Sequence, residues 1–305
     1  MIMNTSLRIG IEIGGTKQQI VTGDNQGNII ERHRFNLEPN ANAVDIQKRI
    51  EEELGKVIAT HQPERIGVGF GGPVNIATGK IATSHQIEGW SGFPLRDWLH
   101  TLTSLPVIIE NDSNTAALAE SLRGAGRGYN PAFYMNMGSG VGGGLVIDGK
   151  IYHGNTPGEV EFGHLRLNPD GTTVEDQCSG WAVDQAIREA VTTNPDSPLG
   201  QSLGNKTGGE AKYLAEALAQ GDVVAQDILS SVTRHLAFAL SHVTHLMHPQ
   251  VIILGGGLSM VGPPLRRGIE QKLPQFLMEI YGNGPEIKLA ELSEDAVPVG
   301  ALLLE

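Results

Sequence analysis

The chain has a single cysteine in 305 residues, so no disulfide can form within it, and this usage fits a reducing cytosol. Long apolar runs are missing. Stretches such as VIIL at 251–254 are far too short to span a bilayer. The opening MIMNTSLRIG has no basic segment followed by an apolar one, so no secretory signal is expected. Positive charge is scarce. The 22 Lys and Arg face 34 Asp and Glu, and the net charge of −12 opposes non-specific binding to nucleic acid or anionic lipid. No G-x-x-x-x-G-K-[ST] stretch occurs, which excludes a P-loop. Residues 138–143, GSGVGG, do fit G-x-G-x-x-G, but LVIDGKIY follows with the character of a strand. A dinucleotide fold requires a helix there, so that reading is rejected.

Glycine, by contrast, is abundant, with 40 copies. Many cluster in GIEIGGTK (10–17), GVGFGGP (67–73), GSGVGGG (138–144) and GGG (255–257). Each cluster follows a short apolar run, so each reads as a strand-to-turn junction where backbone turns tightly or approaches a ligand. Residues 7–35 read as a three-stranded meander. Residues 43–60 read as an amphipathic helix with Val44, Ile50, Leu54 and Val57 on one stripe. PVIIE (106–110) reads as a buried strand, and SNTAALAESLRGAG as a helix capped by Ser113. The order then restarts: AFYMNM, a glycine turn, LVIDGKIYHG. Gly138 stands 124 residues after Gly14, which marks a repeat of architecture. Helices follow at 180–191, 209–221, 222–248 and 263–278, then a strand-like segment at 287–292 and a short terminal helix. The length suggests about two domains. The expected class is α/β, with residues 1–117 plus the helix 294–305 in a smaller domain and 118–293 in a larger one, around a cleft that suits a ligand.

Two equivalent glycine loops in a duplicated fold favour phosphate contact, since successive backbone N–H groups form anion-binding concavities. Glu110, Asn111 and Asp112 stand where a buried strand meets a helix. Asp112 or Ser113 can simply cap that helix, or Asp112 can take a proton from a hydroxyl substrate. The segment VEFGHLRLNPDGTTVEDQC (160–178) gathers Glu161, His164, Asp170, Glu175, Asp176 and Cys178, which can be a metal site, an acid/base site or a surface loop. One Cys and one His do not make a structural zinc site.

In order, IEIGGTK, GFGGPVN, VIIENDSNTAALAE, NMGSGVGGGLVIDGKIYHG, EFGH and HPQVIILGGGLS resemble the motifs of the ROK family of sugar kinases and repressors, over nearly the whole chain. The resemblance implies an actin-like ATPase fold of two ribonuclease H-like domains. It implies phosphorylation of a hexose or hexose derivative (glucose, fructose, mannose or an N-acetylhexosamine) with ATP and magnesium. It gives Asp112 the role of general base. Gly14, Gly15, Thr16 and Lys17 then form a first phosphate loop, Gly138, Ser139 and Gly140 a second, and Gly255, Gly256 and Gly257 the adenosine-side turn. Gly72, Asn111, Asp112, Glu161, His164 and Glu175 take the sugar. Carboxylates, an amide and an imidazole suit vicinal hydroxyls. A cytoplasmic homodimer is implied, with no nucleic-acid or membrane partner.

Three departures stand out. Glu12 occupies the usual aspartate position whose carboxylate holds hydrated magnesium. Gln86 replaces an asparagine of the sugar loop. The cysteine-rich zinc loop is replaced by ten residues between His164 and Glu175, none of them Cys, so no structural zinc is expected. Trp90 reads as part of a sugar lid or as a packed aromatic corner. His235, His242, His245 and His248 read as helix-face residues and not as a metal site. Two other readings are a sugar-sensing ROK-type regulator and a catalytically silent sugar-binding protein. The first needs a helix-turn-helix domain, for which a strand starting near residue 7 leaves no room.

Overall fold

β-Branched residues alternate with glycine in two buried strands, LRIGIEI and RIGVGF, and this decides how the first sheet is covered. The computed structural model describes residues 6–15, 17–36, 42–84, 87–155, 160–204 and 206–305. The first sheet is built from β1 (Leu7–Ile13), β2 (Lys17–Asp24), β3 (Ile29–Asn36), β4 (Arg65–Phe70) and β7 (Val107–Asn111), in the order β3-β2-β1-β4-β7. A small hairpin of β5 (Val74–Asn75) and β6 (Lys80–Ile81) stands apart from it. β1, β4 and β7 are parallel, while β2 is antiparallel to both neighbours.

Ile9, Ile11, Ile66 and Val68 bury one face under α1 (Ala43–His61) and α2 (Leu95–Thr103). On the other face Gly67 lets the terminal helix α10 (Ala296–Leu303) lie directly on the sheet. A Cβ there would come within 1.9 Å of the Ala301 carbonyl oxygen. Gly300 in turn approaches α3 (Asp112–Arg123), where a Cβ would lie 2.0 Å from the Thr115 carbonyl oxygen. Part of the glycine excess therefore serves helix–sheet packing and no ligand.

The stripe on α1 is Ala43, Ile46, Ile50, Leu54 and Val57; Val44 is 68% exposed, which corrects its assignment to the core. Asn42 caps this helix, and the cap fixes the phase by which Ala43, one residue earlier, faces inward. Trp90 is fully buried, edge-on to Phe70 and Phe93, so it is a packed corner and not a lid.

The second sheet is built from β8 (Ala132–Met137), β9 (Val141–Ile147), β10 (Lys150–Ile151), β11 (Val251–Gly255) and β12 (Glu286–Leu289), in the order β10-β9-β8-β11-β12. β8, β11 and β12 are parallel. The strand order repeats that of the first sheet, as the glycine spacing predicts. Between β10 and β11 come a 3-10 turn (Phe162–His164), α4 (Val174–Cys178), α5 (Gly180–Thr193), α6 (Pro198–Leu203), α7 (Leu214–Ala219) and the long α8 (Val223–Met247). α9 (Pro263–Lys272) packs on α8. It ends before residue 278 because Pro274 follows and the chain continues as a 3-10 turn. By its contacts the chain divides into two compact units. One is Met1–Arg127 with Gly144–Val160 and Leu292–Glu305; the other is Gly128–Gly143 with Glu161–Glu291.

Candidate functional site

In the first unit, three parallel strands end side by side. The register pairs Ile13 with Phe70 and Phe70 with Asn111, so the loops after β1, β4 and β7 leave the same sheet edge. The carboxyl ends of parallel strands are where α/β folds take ligands. The Gly71 N–H donates to the Ile13 carbonyl at 2.8 Å, and a Cβ on Gly71 would lie 3.5 Å from both an Asp112 carboxylate oxygen and the Gly14 Cα. Gly14, Gly71 and Asp112 are thus brought together. Gln18 donates to the Gly14 carbonyl at 2.9 Å and holds that loop. Gly15 continues the loop. Thr16 and Gln86 lie outside the described residues; Lys17 opens β2 opposite Asn36.

Asn111, not Ser113, caps α3. Its side-chain oxygen accepts from the Ser113 and Asn114 N–H groups at 2.8 and 3.1 Å. Its amide nitrogen donates to the Gly72 carbonyl at 3.2 Å. The cap therefore frees Asp112 from that duty, although Asp112 still accepts a long hydrogen bond from the Ser113 hydroxyl at 3.3 Å. It also leaves Asn111 with one amide hydrogen at most for another partner. Glu110 is buried behind this turn. It accepts from the Asn111 N–H at 2.8 Å and the Asn114 amide at 3.1 Å, and pairs with His153.

Asp112 is the first residue of α3, partly open to solvent yet deeply recessed. Burial, and then the nearby Glu12 carboxylate, push its carboxyl up to about 6, against hydrogen bonds from Ser113 that pull it down. A group with that value is ionised at neutral pH and basic enough to accept a hydroxyl proton in a transition state. Glu12 itself is fixed by its cross-strand neighbour Gln19, whose amide donates to it. Gln19 is buried and its oxygen accepts from Arg32 and Arg34 at 3.1 and 3.3 Å. Its pairing with Glu12 follows from strand register, which the sequence alone does not show.

In the second unit, Gly138, Ser139 and Gly140 leave β8 beside the turn that leaves β11. A Cβ on Gly256, at φ +79°, would lie 2.5 Å from the Asn136 side-chain oxygen and the Met137 backbone. A Cβ on Gly255 would lie 2.1 Å from the Tyr134 hydroxyl, so this glycine backs onto that ring. Gly257 opens a 3-10 turn with no heavy atom within 4 Å of an added Cβ. Glu161 and His164 project from the 3-10 turn into solvent, while Phe162 between them is buried against Phe133, ring centroids 5.6 Å apart. Gly163 sits on the Val141 backbone, where a Cβ would meet the carbonyl oxygen at 2.1 Å.

The stretch 165–173 is a hairpin turned at Asn168–Gly171, with the Leu167 N–H donating to the Thr172 carbonyl at 2.8 Å. Asp176 belongs to the capping box of α4. Cys178 is fully buried, and burial pushes its thiol up to about 12, so it is a core residue. Glu175 is placed by α4 against the second glycine loop and accepts from the Val141 N–H at 2.8 Å. Among the described residues, no group of three or more His, Cys, Asp or Glu side chains is arranged to hold a metal ion. His242, His245 and His248 pack edge-on to Phe238 or Tyr281. Among the described residues no helix is long and apolar enough to cross a membrane.

The ROK family model matches residues 8–305. The chain is 30% identical over 306 residues to the glucokinase of Halalkalibacterium halodurans, covering 96% of this chain and 92% of that one. The structure of a ROK family glucokinase from Streptomyces griseus, in complex with glucose and AMPPNP, is 30% identical with a TM-score of 0.84, covering 97% and 98% of the two chains. The DNA-binding transcriptional repressor Mlc of Escherichia coli is 25% identical over 265 residues, 84% of this chain and 65% of the repressor. The chain belongs to the ROK family and has its actin-like ATPase fold.

Proposed function

We propose that this sugar kinase transfers the γ-phosphoryl group of ATP to a hydroxyl of a hexose or hexose derivative, with Asp112 as the general base. The observation that carries the reading is the state of Asp112. Asn111 has taken over the helix cap, and burial with the Glu12 charge has raised the Asp112 carboxyl to about 6. The glucokinase relatives, one of them solved with glucose and an ATP analogue, support the same reaction.

Phosphoryl transfer asks mainly for positioning and for charge stabilisation, so one base and two rigid phosphate loops suffice. Asp112 accepts the hydroxyl proton as the oxygen attacks phosphorus. Gly14, Gly15, Thr16 and Lys17 serve one side of the phosphate chain, and Gly138, Ser139 and Gly140 the other. Gly255, Gly256 and Gly257 take the adenosine side. Gly72, Asn111, Glu161, His164 and Glu175 orient the sugar hydroxyls. Two carboxylates that repel each other, as Glu12 and Asp112 do, fit a nearby divalent cation. Glu12, held by Gln19, is the residue that would hold hydrated magnesium, and the ion would supply positive charge to offset that of the phosphate oxygens. The nucleotide donor supports a cytoplasmic setting, and the family a homodimer.

ADP release measured with ATP, magnesium and a panel of glucose, mannose, fructose and N-acetylhexosamines tests the proposal. Sugar-dependent ADP release with one of them is expected. Sugar binding without ADP release would favour a sugar-sensing regulator, a reading that the Mlc relative brings forward, or a silent binding protein.

A further inference from the structure

The second glycine loop is held at both ends by one short segment. At its start, the Gly180 N–H donates to the Gly138 carbonyl at 2.7 Å. At its far end, the Val141 N–H donates to the Glu175 carboxylate at 2.8 Å. Within the loop, the Gly138 N–H donates to the Gly140 carbonyl at 2.9 Å, and a Cβ on Gly140 would lie 2.4 Å from the same Glu175 oxygen. The segment that supplies both contacts is rigidly mounted. Val174 and Cys178 are fully buried, Thr173 and Asp176 close a capping box, the Val174 N–H donates to the Leu165 carbonyl at 3.0 Å, and Ser179 caps α5. The opposite side of Val141 carries Gly163 of the Glu161–His164 turn.

We infer that Glu175 is a positioning residue for the second phosphate loop, acting through the Val141 N–H, so that nucleotide affinity depends on it even when no sugar is present. The inference rests on the kinase reading above, and it gives Glu175 a task different from contacting a sugar hydroxyl. A carboxylate accepting a backbone N–H makes a charge-assisted hydrogen bond, stronger than a neutral one. Anion-binding loops act through the direction of successive backbone N–H groups, so fixing the orientation of the peptide at Val141 fixes the loop that precedes it. Because Gly163 packs on the same residue, the turn bearing Glu161 and His164 and the phosphate loop share one support. A ligand that shifts the turn is thereby felt at the loop.

The test is ADP binding by calorimetry, in the absence of sugar, to wild type, Glu175→Ala and Glu175→Gln, with thermal melts as folding controls. Glu175→Ala is expected to weaken ADP about tenfold while remaining folded, and to raise the KM for ATP more than it lowers kcat. Glu175→Gln keeps an acceptor oxygen and is expected to bind ADP within about twofold of wild type. Unchanged ADP affinity in Glu175→Ala overturns the inference and leaves Glu175 as a sugar contact alone. Failure of Glu175→Gln to restore the affinity lost in Glu175→Ala overturns the Val141 hydrogen bond as the route. Absence of ADP binding in wild type overturns the kinase reading, and the inference with it.

Discussion

In the first sheet, β1 carries the carboxylate of Glu12 and the chain just past β7 carries that of Asp112. In the second sheet, with the same strand order, β8 runs into Gly138 and β11 ends at Gly255. The duplicated backbone places a glycine loop after the first strand of each sheet, and the first copy adds the Glu12 and Asp112 carboxylates at its strand ends. Their supports differ as well. Glu12 is fixed by its cross-strand neighbour Gln19, a contact internal to the sheet, whereas the second loop is fixed by Glu175 and Gly180 from helices inserted after β10. On the proposed reading, the first unit would supply the proton acceptor and the second the anion cradle, the two tasks that phosphoryl transfer asks for.

This contrast can be broken or sharpened. Apart from loss of Asp112 itself, the largest effect is expected from Glu12→Gln, which removes one of the two repelling carboxylates. If Glu12 places the metal as proposed, turnover should fall on the order of 100-fold, and the acid limb of the rate profile should move to lower pH, because burial still raises Asp112 but the added Glu12 charge is gone. An unmoved limb in a pH–rate series would contradict the pairing.

Next comes a contrast among glycines in the second unit. Gly163→Ala puts a Cβ 2.1 Å from the Val141 carbonyl oxygen and should cost about 3 kcal/mol. Gly257→Ala meets nothing within 4 Å and should stay within about 0.5 kcal/mol. Denaturant melts of the two variants check this, and equal losses would contradict the packing.

The pH dependence follows from the Asp112 value. Its carboxyl is raised in the folded state to about 6, so the ionised base is present above that pH and kcat/KM should fall about tenfold per unit below it. For stability the sign runs the other way. A raised carboxyl favours the fold below its unfolded value, and that contribution is lost as pH rises through about 6. Asp112→Asn should therefore be more stable than wild type at pH 8, on the order of 1–2 kcal/mol, with the advantage shrinking towards pH 4. Thermal melts at both pH values test it. The smallest expected signal is metal content: protein dialysed against metal-free buffer should carry close to no zinc, and a ratio near one per chain would overturn the reading of 160–178.

Much of the fold is legible in the sequence because glycine clusters after β-branched runs mark strand-to-turn junctions, and the recurrence of Gly14 at Gly138 signals the shared topology. The Glu110, Asn111 and Asp112 triplet at the strand–helix junction can likewise be read locally. What stays hidden depends on long-range proximity. Strand register pairs Gln19 with Glu12, and tertiary packing brings Glu175 to Val141 and α10 onto Gly67. Two local differences have a physical cause. Ser113 suits the cap of α3 by residue type, but Asn111 ends β7 with the extended backbone a cap requires, and its side-chain oxygen accepts from the Ser113 and Asn114 N–H groups. Val44 is apolar enough for the core, but the Asn42 cap sets the helix phase and leaves it outside.

The most direct test is a paired measurement on Asp112→Asn: sugar affinity by calorimetry and ADP release under saturating ATP, each beside wild type. Sugar affinity within a few-fold of wild type with turnover reduced at least about 1000-fold is the expected result for a lost general base. Turnover close to wild type would contradict the role given to Asp112.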